Sequence, residues 1–470
     1  MMPEAILVLM LLIVFFTDFC LHKSERKVEI VGRMTMTLLI CQTVMLTTTG
    51  PAEAFGGMYV ASQAAQVMKI ILTFGTFIVV VMAQPWLERE APKYAGEFHL
   101  LVLSTLLGMY IMMSSGSFLL FFLGLETASV PMACLVAFDK WKKKSAEAAA
   151  KYVLVATFSS GVMLYGISFI YAATGTLYFD DIAIVLNQNY LASPLSIMGL
   201  VFFFSGLAFK LSLVPFHFWT ADTYEGAPTP VTGYLSVCSK GAAAFAALVI
   251  LAKAFGPMIE YWEYMLYVVI VLSITIANLF AIRQSELKRF MAFSSISQAG
   301  YIMLAVVGAS QYGVAELSYY VLVYVVANMA VFSVIGAVEE ASGGRTDMAA
   351  YNGFYTTNPK LSLLMTLALF SLAGIPPFAG MFSKFFVFMA AAQQGSYWAY
   401  FVVFIALVNT VVSLYYYLLI VKAMYIKSSD SPMPTFRSSV TTRLALGLCT
   451  AGILLFGVLS CVYEWIYAAA

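Results

Sequence analysis

The chain has 470 residues, 62% hydrophobic and 10% charged, with a net charge of +1 and a mean hydropathy of +0.89. A soluble domain carries roughly a quarter charged residues. So much apolar surface has to face lipid or other buried subunits, which excludes a water-soluble globular protein, and the near-zero net charge argues against nucleic acid.

Spanning the hydrocarbon takes about 20 mostly apolar residues, and fourteen such runs follow one another along the chain. They lie at 5–21, 30–49, 65–83, 98–114, 117–138, 147–172, 196–216, 228–252, 264–282, 290–309, 313–336, 361–390, 396–425 and 444–468. The first has an acidic flank at Glu4 and no small-residue cleavage site, so it reads as a retained helix rather than a signal peptide. The runs are too long and continuous for barrel strands, and backbone groups in lipid must be satisfied internally, so helices are expected. The breaks at 173–193 and 339–359 are loop-sized. Six cysteines stand singly and the three histidines are scattered. With no zinc or iron–sulfur spacing and no glycine-rich dinucleotide or phosphate loop, any redox cofactor is expected in another subunit.

Positive charge alternates with the runs. Seventeen of the 25 Lys and Arg fall in odd-numbered connections, and only Lys253 falls in the even-numbered ones or the termini. By the positive-inside rule the odd connections face the cytoplasm and both termini face outward.

The remaining charges lie within or at the edge of runs. Arg33 and Lys422 are near helix ends and can snorkel. Lys69 admits a local or a transport role, and Lys151, about one turn inside run six, admits snorkelling or function. Glu126, Lys210, Lys240 and Lys384 are deeper, on four different helices. Ionisable groups there are costly and usually face a bundle interior or a wet cavity. One carboxylate and three amines so placed point to a proton relay rather than a structural ion-pair network. Two of these spans also carry helix breakers: Pro215 five residues after Lys210, and Gly374, Pro376 and Pro377 ahead of Lys384. Proline removes a backbone donor and clashes with the preceding turn. Breaks at matching places in two halves point to an inverted-repeat transport site. Runs seven and twelve are both fourth in a block of five. The expected organisation is therefore 1–97 (helices 1–3), 98–255 (first five-helix repeat), 256–427 (second, inverted repeat) and 428–470 (helix 14). His217, just past Pro215, could serve proton uptake from the cytoplasm or only bond local backbone.

The stretches "KLSLVPFHFWTADTYEGAPTPVTGYLSVCSK", "FLGLETASVP", "ELKRFMAFSSISQAGYIML" and "LAGIPPFAGMFSKFFVF" resemble, in order, those of the antiporter-like membrane subunits of NADH–quinone oxidoreductase (respiratory complex I). Among these the chain looks most like subunit N, because it stops directly after run fourteen where longer relatives carry a lateral helix. The resemblance implies a fourteen-helix, all-α, proton-translocating subunit of a translocase. It implies that NADH, FMN, iron–sulfur clusters and quinone are held by partner subunits. The partners implied are neighbouring antiporter-like and small membrane subunits, with the peripheral redox arm indirect. The resemblance also implies that Glu126 pairs with Lys210 and that Lys240, Lys384 and Lys151 match functional lysines. Two alternatives stand beside it: a subunit of a stand-alone cation/proton antiporter, and a passive assembly scaffold.

Overall fold

The computed structural model describes residues 1–21, 24–188, 193–307, 311–428 and 433–470, without the side chains of residues 311 and 312. Helices dominate. In chain order we label α1 (Met2–Cys20), α2 (Lys27–Thr48), α3 (Gln63–Glu90), α4 (Ala95–Met113), α5 (Phe118–Val136), α6 (Lys143–Thr174), α7a (Pro194–Leu211) and α7b (Phe218–Gly226). Next come α8 (Thr229–Lys253), α9 (Ile259–Ala281), α10 (Leu287–Val307), α11 (Gln311–Ala341), α12a (Pro359–Ala373), α12b (Ala379–Ala392), α13 (Tyr397–Tyr425) and α14 (Val440–Val458). Among the described residues thirteen helices are long and apolar enough to cross a membrane, and the fourteenth expected span is the α12a–α12b pair. A short hairpin, β1 (Ala52–Ala54) with β2 (Tyr59–Ala61), covers one end.

The alternation of sides is visible in which connections touch. Even-numbered connections meet each other through bridges between Tyr59 and Ser115 and between Ser117 and Tyr178. Odd-numbered connections meet at the opposite end: Lys27 reaches the Lys93 carbonyl, Lys142 pairs with Glu90, Lys144 with Glu225, and Glu286 bridges Asp347. Any error of one in the number of crossings would have separated these partners by the thickness of the membrane.

Three departures from the sequence expectation have simple causes. The 173–193 connection contains a helix, Phe179–Gln188, whose Phe179, Ile182 and Leu186 recur at helical spacing and are buried. Run fourteen is interrupted at Leu459, after which Ser460–Ala469 forms a separate helix. In α8 a π-helical turn over Leu235–Ser239 immediately precedes Lys240.

Packing places α3, α8, α10 and α11 at the centre, with nearly all of their apolar windows buried, while α1, α2, α6 and α13 keep broad apolar faces outward. Close crossings rest on glycine. An added Cβ at Gly108 would lie 2.3 Å from the Ala128 nitrogen, which lets α4 and α5 pack backbone to backbone. Corresponding neighbours in the two blocks pack alike: α4 on α5 and α9 on α10, α6 on α7a and α11 on α12a and α12b.

Candidate functional site

Both expected breaks are present. α7a ends at Ser212 in the left-handed conformation, and α7b starts only at Phe218. The gap is fixed by Trp219 Nε1 donating to the Phe209 carbonyl (3.2 Å) and by the Val214 N–H donating to Ser273 Oγ on α9 (2.9 Å). α12a ends at Gly374, φ +87°, a conformation that glycine adopts readily. Gly380 then packs α12b directly on the Ser371 carbonyl of α12a.

The breaks bring helix ends to the lysines. Lys210 lies in the last turn of α7a. Lys384, on α12b, reaches back to donate to the carbonyl of Ala373, the last residue of α12a (3.0 Å). The C-terminal end of a helix carries partial negative charge and unbonded carbonyls. At the second break a buried amine thus meets a helix-end carbonyl directly, while Lys210 lies in the last turn before the first break.

Lys210 is 4% exposed, Lys240 1% and Lys384 4%. Lys210 Nζ donates to Ser129 Oγ on α5 (2.8 Å), with Tyr152 OH of α6 at 3.5 Å. Lys240 Nζ donates to Ser295 Oγ on α10 (2.7 Å) and lies 5.5 Å from the ring centre of Tyr224, whose hydroxyl is 3.2 Å from the same Ser295 oxygen. Lys384 Nζ lies 4.8 Å from the ring centre of Tyr301. None of the three forms an ion pair among the described residues.

The Glu126–Lys210 contact expected from the resemblance is not made. Glu126 Oε1 accepts from Ser160 on α6 (2.5 Å), while the Lys210 amine is docked on Ser129, three residues further along α5. Three residues are about 4.5 Å along a helix, so one side-chain swing separates the docked and paired arrangements. Lys151 is partly exposed and pairs with Glu147 and Asp222, each at 2.7 Å. It is thus tied to α7b rather than to the deep lysines. His217 stands at the start of α7b with its ring against Phe218, and its buried Nδ1 has no hydrogen-bond partner.

Between the lysines runs a band of polar groups that the sequence did not single out. Gln298 of α10 donates to the Leu372 carbonyl (3.2 Å) and to Tyr417 OH (3.3 Å), and it accepts from Tyr320 of α11. Asn328 donates to Ser236 Oγ in the π-helical turn (2.7 Å). Several buried atoms here have no protein partner: the hydroxyls of Ser212, Thr220, Thr223, Ser297 and Tyr324, and Asn328 Oδ1. Buried polar groups are almost always hydrogen-bonded, and buried water normally completes those the protein leaves open. A cavity of about 10 Å³ lined by Gln298, Tyr320, Tyr324, Ser383 and Lys384 is near the size one water requires, roughly 10–15 Å³. Signals for these residues existed as Ser, Thr, Tyr and Gln inside apolar runs. Such residues are common in membrane helices, and only the packing shows which ones converge.

Fold and site together define an antiporter-like membrane subunit, with two broken helices and three buried amines on separate spans. Residues 115–413 match the family described as "NADH:quinone oxidoreductase/Mrp antiporter, TM". The NADH-quinone oxidoreductase subunit N of Phocaeicola vulgatus is 58% identical over 467 residues, covering 99% of this chain and 97% of that protein. A chain in the structure of respiratory complex I from Thermus thermophilus with bound aureothin superposes with TM-score 0.83 at 32% identity, covering 100% of both chains. A chain of the Mrp complex from Dietzia shares the fold alone, with TM-score 0.84 at 21% identity, covering 100% of this chain and 97% of that one. The chain belongs to the NADH:quinone oxidoreductase/Mrp antiporter family and, within it, to the N subunits of NADH-quinone oxidoreductase.

Proposed function

We propose that this antiporter-like subunit of NADH-quinone oxidoreductase translocates protons through Lys210, Lys240 and Lys384, with Glu126 as the acidic switch beside Lys210. The observation that carries this reading is that Lys210, Lys240 and Lys384, buried within three different spans, have neutral partners only: Ser129, Ser295 and the Ala373 carbonyl. A structural ion-pair network would pair its charges, as Glu4 and Lys69 do elsewhere in this chain at 2.6 Å. An amine held by hydroxyls and helix ends can be charged or neutral without breaking a pair. A low-dielectric site disfavours charge and a nearby carboxylate favours it, so swinging Lys210 between Ser129 and Glu126 would alternate holding and releasing a proton. The unpartnered hydroxyls and the small cavity at Lys384 support water as the intervening carrier.

The energy then comes from NADH oxidation and quinone reduction in other subunits of the complex, where NADH, FMN, iron–sulfur clusters and quinone would be held. The lysine-rich end faces the cytoplasm of a bacterial inner membrane and both termini face outward. The two five-helix blocks, 98–255 and 256–427, act as inverted halves around the lysines. His217 and Lys151 stand on the cytoplasmic side of Lys210, where proton uptake would begin.

The test is proton pumping against quinone reduction in membranes where assembly is confirmed. Lys210→Met removes the titrating amine, and Lys210→Arg keeps a charge that does not dissociate at working pH. Both are expected to lose pumping. If Lys210→Arg pumps like the unmodified protein, Lys210 is not a proton carrier.

A further inference from the structure

α7b touches the surroundings of both Lys210 and Lys240. Near its start, Trp219 packs on Tyr152, ring centres 5.1 Å apart, and Tyr152 OH is 3.5 Å from the Lys210 amine. Near its end, Tyr224 shares Ser295 with Lys240. Its inward hydroxyls, Thr220 and Thr223, are fully buried and unpartnered. At nine residues, with non-helical chain on both sides, α7b is too short to hold itself in place. Its position is set by what grips it.

The grip comes from "ELKRF", a stretch that the relay does not use. Arg289 Nη1 donates to Asp222 Oδ1 (2.7 Å) and Glu225 Oε2 (2.8 Å), two acids on one face of α7b. Lys288, itself buried, donates to the Ala227 carbonyl just past the end of α7b (2.7 Å). Lys151 and Lys144 complete the clamp on the other oxygens of Asp222 and Glu225, at 2.7 and 2.9 Å. Lys288 and Arg289 open α10, and Ser295, the partner of Lys240, lies less than two turns further along the same helix. The clamp surrounds a cavity of about 140 Å³ at the odd-connection end.

We infer that Lys288 and Arg289 are positioning residues for the transfer between Lys210 and Lys240: they fix α7b so that Trp219, Tyr224 and the two threonine hydroxyls span the interval. This rests on the relay reading above. Releasing the clamp lets α7b drift and breaks the path without touching either lysine.

The experiment uses the assembled complex in proteoliposomes, with protons moved per quinone reduced as the readout. Arg289→Gln is expected to lower this ratio at least threefold, and Arg289→Lys to recover more than half of the loss. The double variant Asp222→Asn with Glu225→Gln, which also removes the Lys151 and Lys144 pairs, should lower the ratio at least as much as Arg289→Gln, and adding Arg289→Gln to it should make it no worse, because the double already removes both acids that Arg289 grips. A residue needed only for folding would lower the amount of complex and leave the ratio unchanged. If Arg289→Gln does not assemble, the Asp222/Glu225 double variant decides alone. An unmodified ratio in that variant, while Lys210→Met fails to pump, overturns the inference and leaves the relay standing. Full pumping by Lys210→Met overturns the relay instead.

Discussion

Glu4 and Lys69 provide a quantitative test of how this chain treats buried charge. Lys69 Nζ meets Glu4 Oε1 at 2.6 Å, with side-chain exposures of 0% and 6%. The ammonium also lies 3.3 Å from Tyr59 OH and 5.4 Å from the ring centres of Tyr59 and Tyr110. Glu4 Oε2 is already without a partner. Lys69→Met would leave the Glu4 carboxylate buried and uncompensated, and Glu4→Leu would do the same to Lys69. Breaking a buried pair from one side costs about 3–5 kcal/mol, whereas replacing both charges by apolar side chains is often neutral or better. Additive behaviour would put the double variant at about 6–10 kcal/mol, and the pair predicts a value near zero. The native thiol of Cys238 offers an assay. It is fully buried and packs on α3 at Gly75, two turns from Lys69. Its labelling in the purified complex reports local opening, and 3–5 kcal/mol corresponds to roughly 10²- to 4 × 10³-fold faster labelling. Each single variant should show that acceleration, and the double should label within about tenfold of the unmodified protein. Proton pumping should survive in the double, since the pair is distinct from the three proposed carriers. A double that labels as fast as the singles would refute the reasoning.

Two further outcomes follow from the fold. Single cysteines at Lys142 and Asp181, which lie in connections at opposite ends of the bundle, should label from opposite faces of sealed membranes, with Lys142→Cys reactive from the cytoplasm; labelling of both from one face would overturn the arrangement of crossings. Gly380→Ala places a Cβ 1.7 Å from the Ser371 carbonyl, an overpacking worth about 1–3 kcal/mol, and should separate α12a from α12b and reduce pumping; an unchanged ratio of protons to quinone would show that the close approach is not needed.

Much of the architecture was legible because membrane physics writes it in long signals. Apolar runs of the right length mark crossings, charge marks alternate connections, and a lysine or proline inside such a run stands out. Partner choice was not legible in the same way. Glu4 and Lys69 are 65 positions apart, and nothing local joins them. The Glu126–Lys210 pairing failed because Ser129 and Ser160, unremarkable residues within apolar runs, each took one of the partners. Lys288 and Arg289 read as ordinary charges at the edge of a run, yet Lys288 is 4% exposed. The π-helical turn before Lys240 has no distinctive composition in "LSVCS".

The two broken helices solve one electrostatic problem in two mirror-related ways. An amine deep in lipid needs negative potential, but a carboxylate in permanent contact would hold the proton too firmly for transfer. The C-terminal end of a half-helix supplies about half a negative charge through several carbonyls, less than a carboxylate would. In α7 the lysine precedes the break and sits in the last turn of its own half-helix. In α12 it follows the break and turns back to the last carbonyl of the preceding half, Ala373. Since α7 and α12 are connected to cross in opposite directions, placing the amine before one break and after the other puts both on the same side of their breaks. The proline and glycine positions therefore do more than bend these helices: each creates a helix end at membrane depth where a lysine needs one. Lys240, on an unbroken span, lacks that support and depends instead on Ser295 and the ring of Tyr224, which makes it the lysine most sensitive to the placement of α7b.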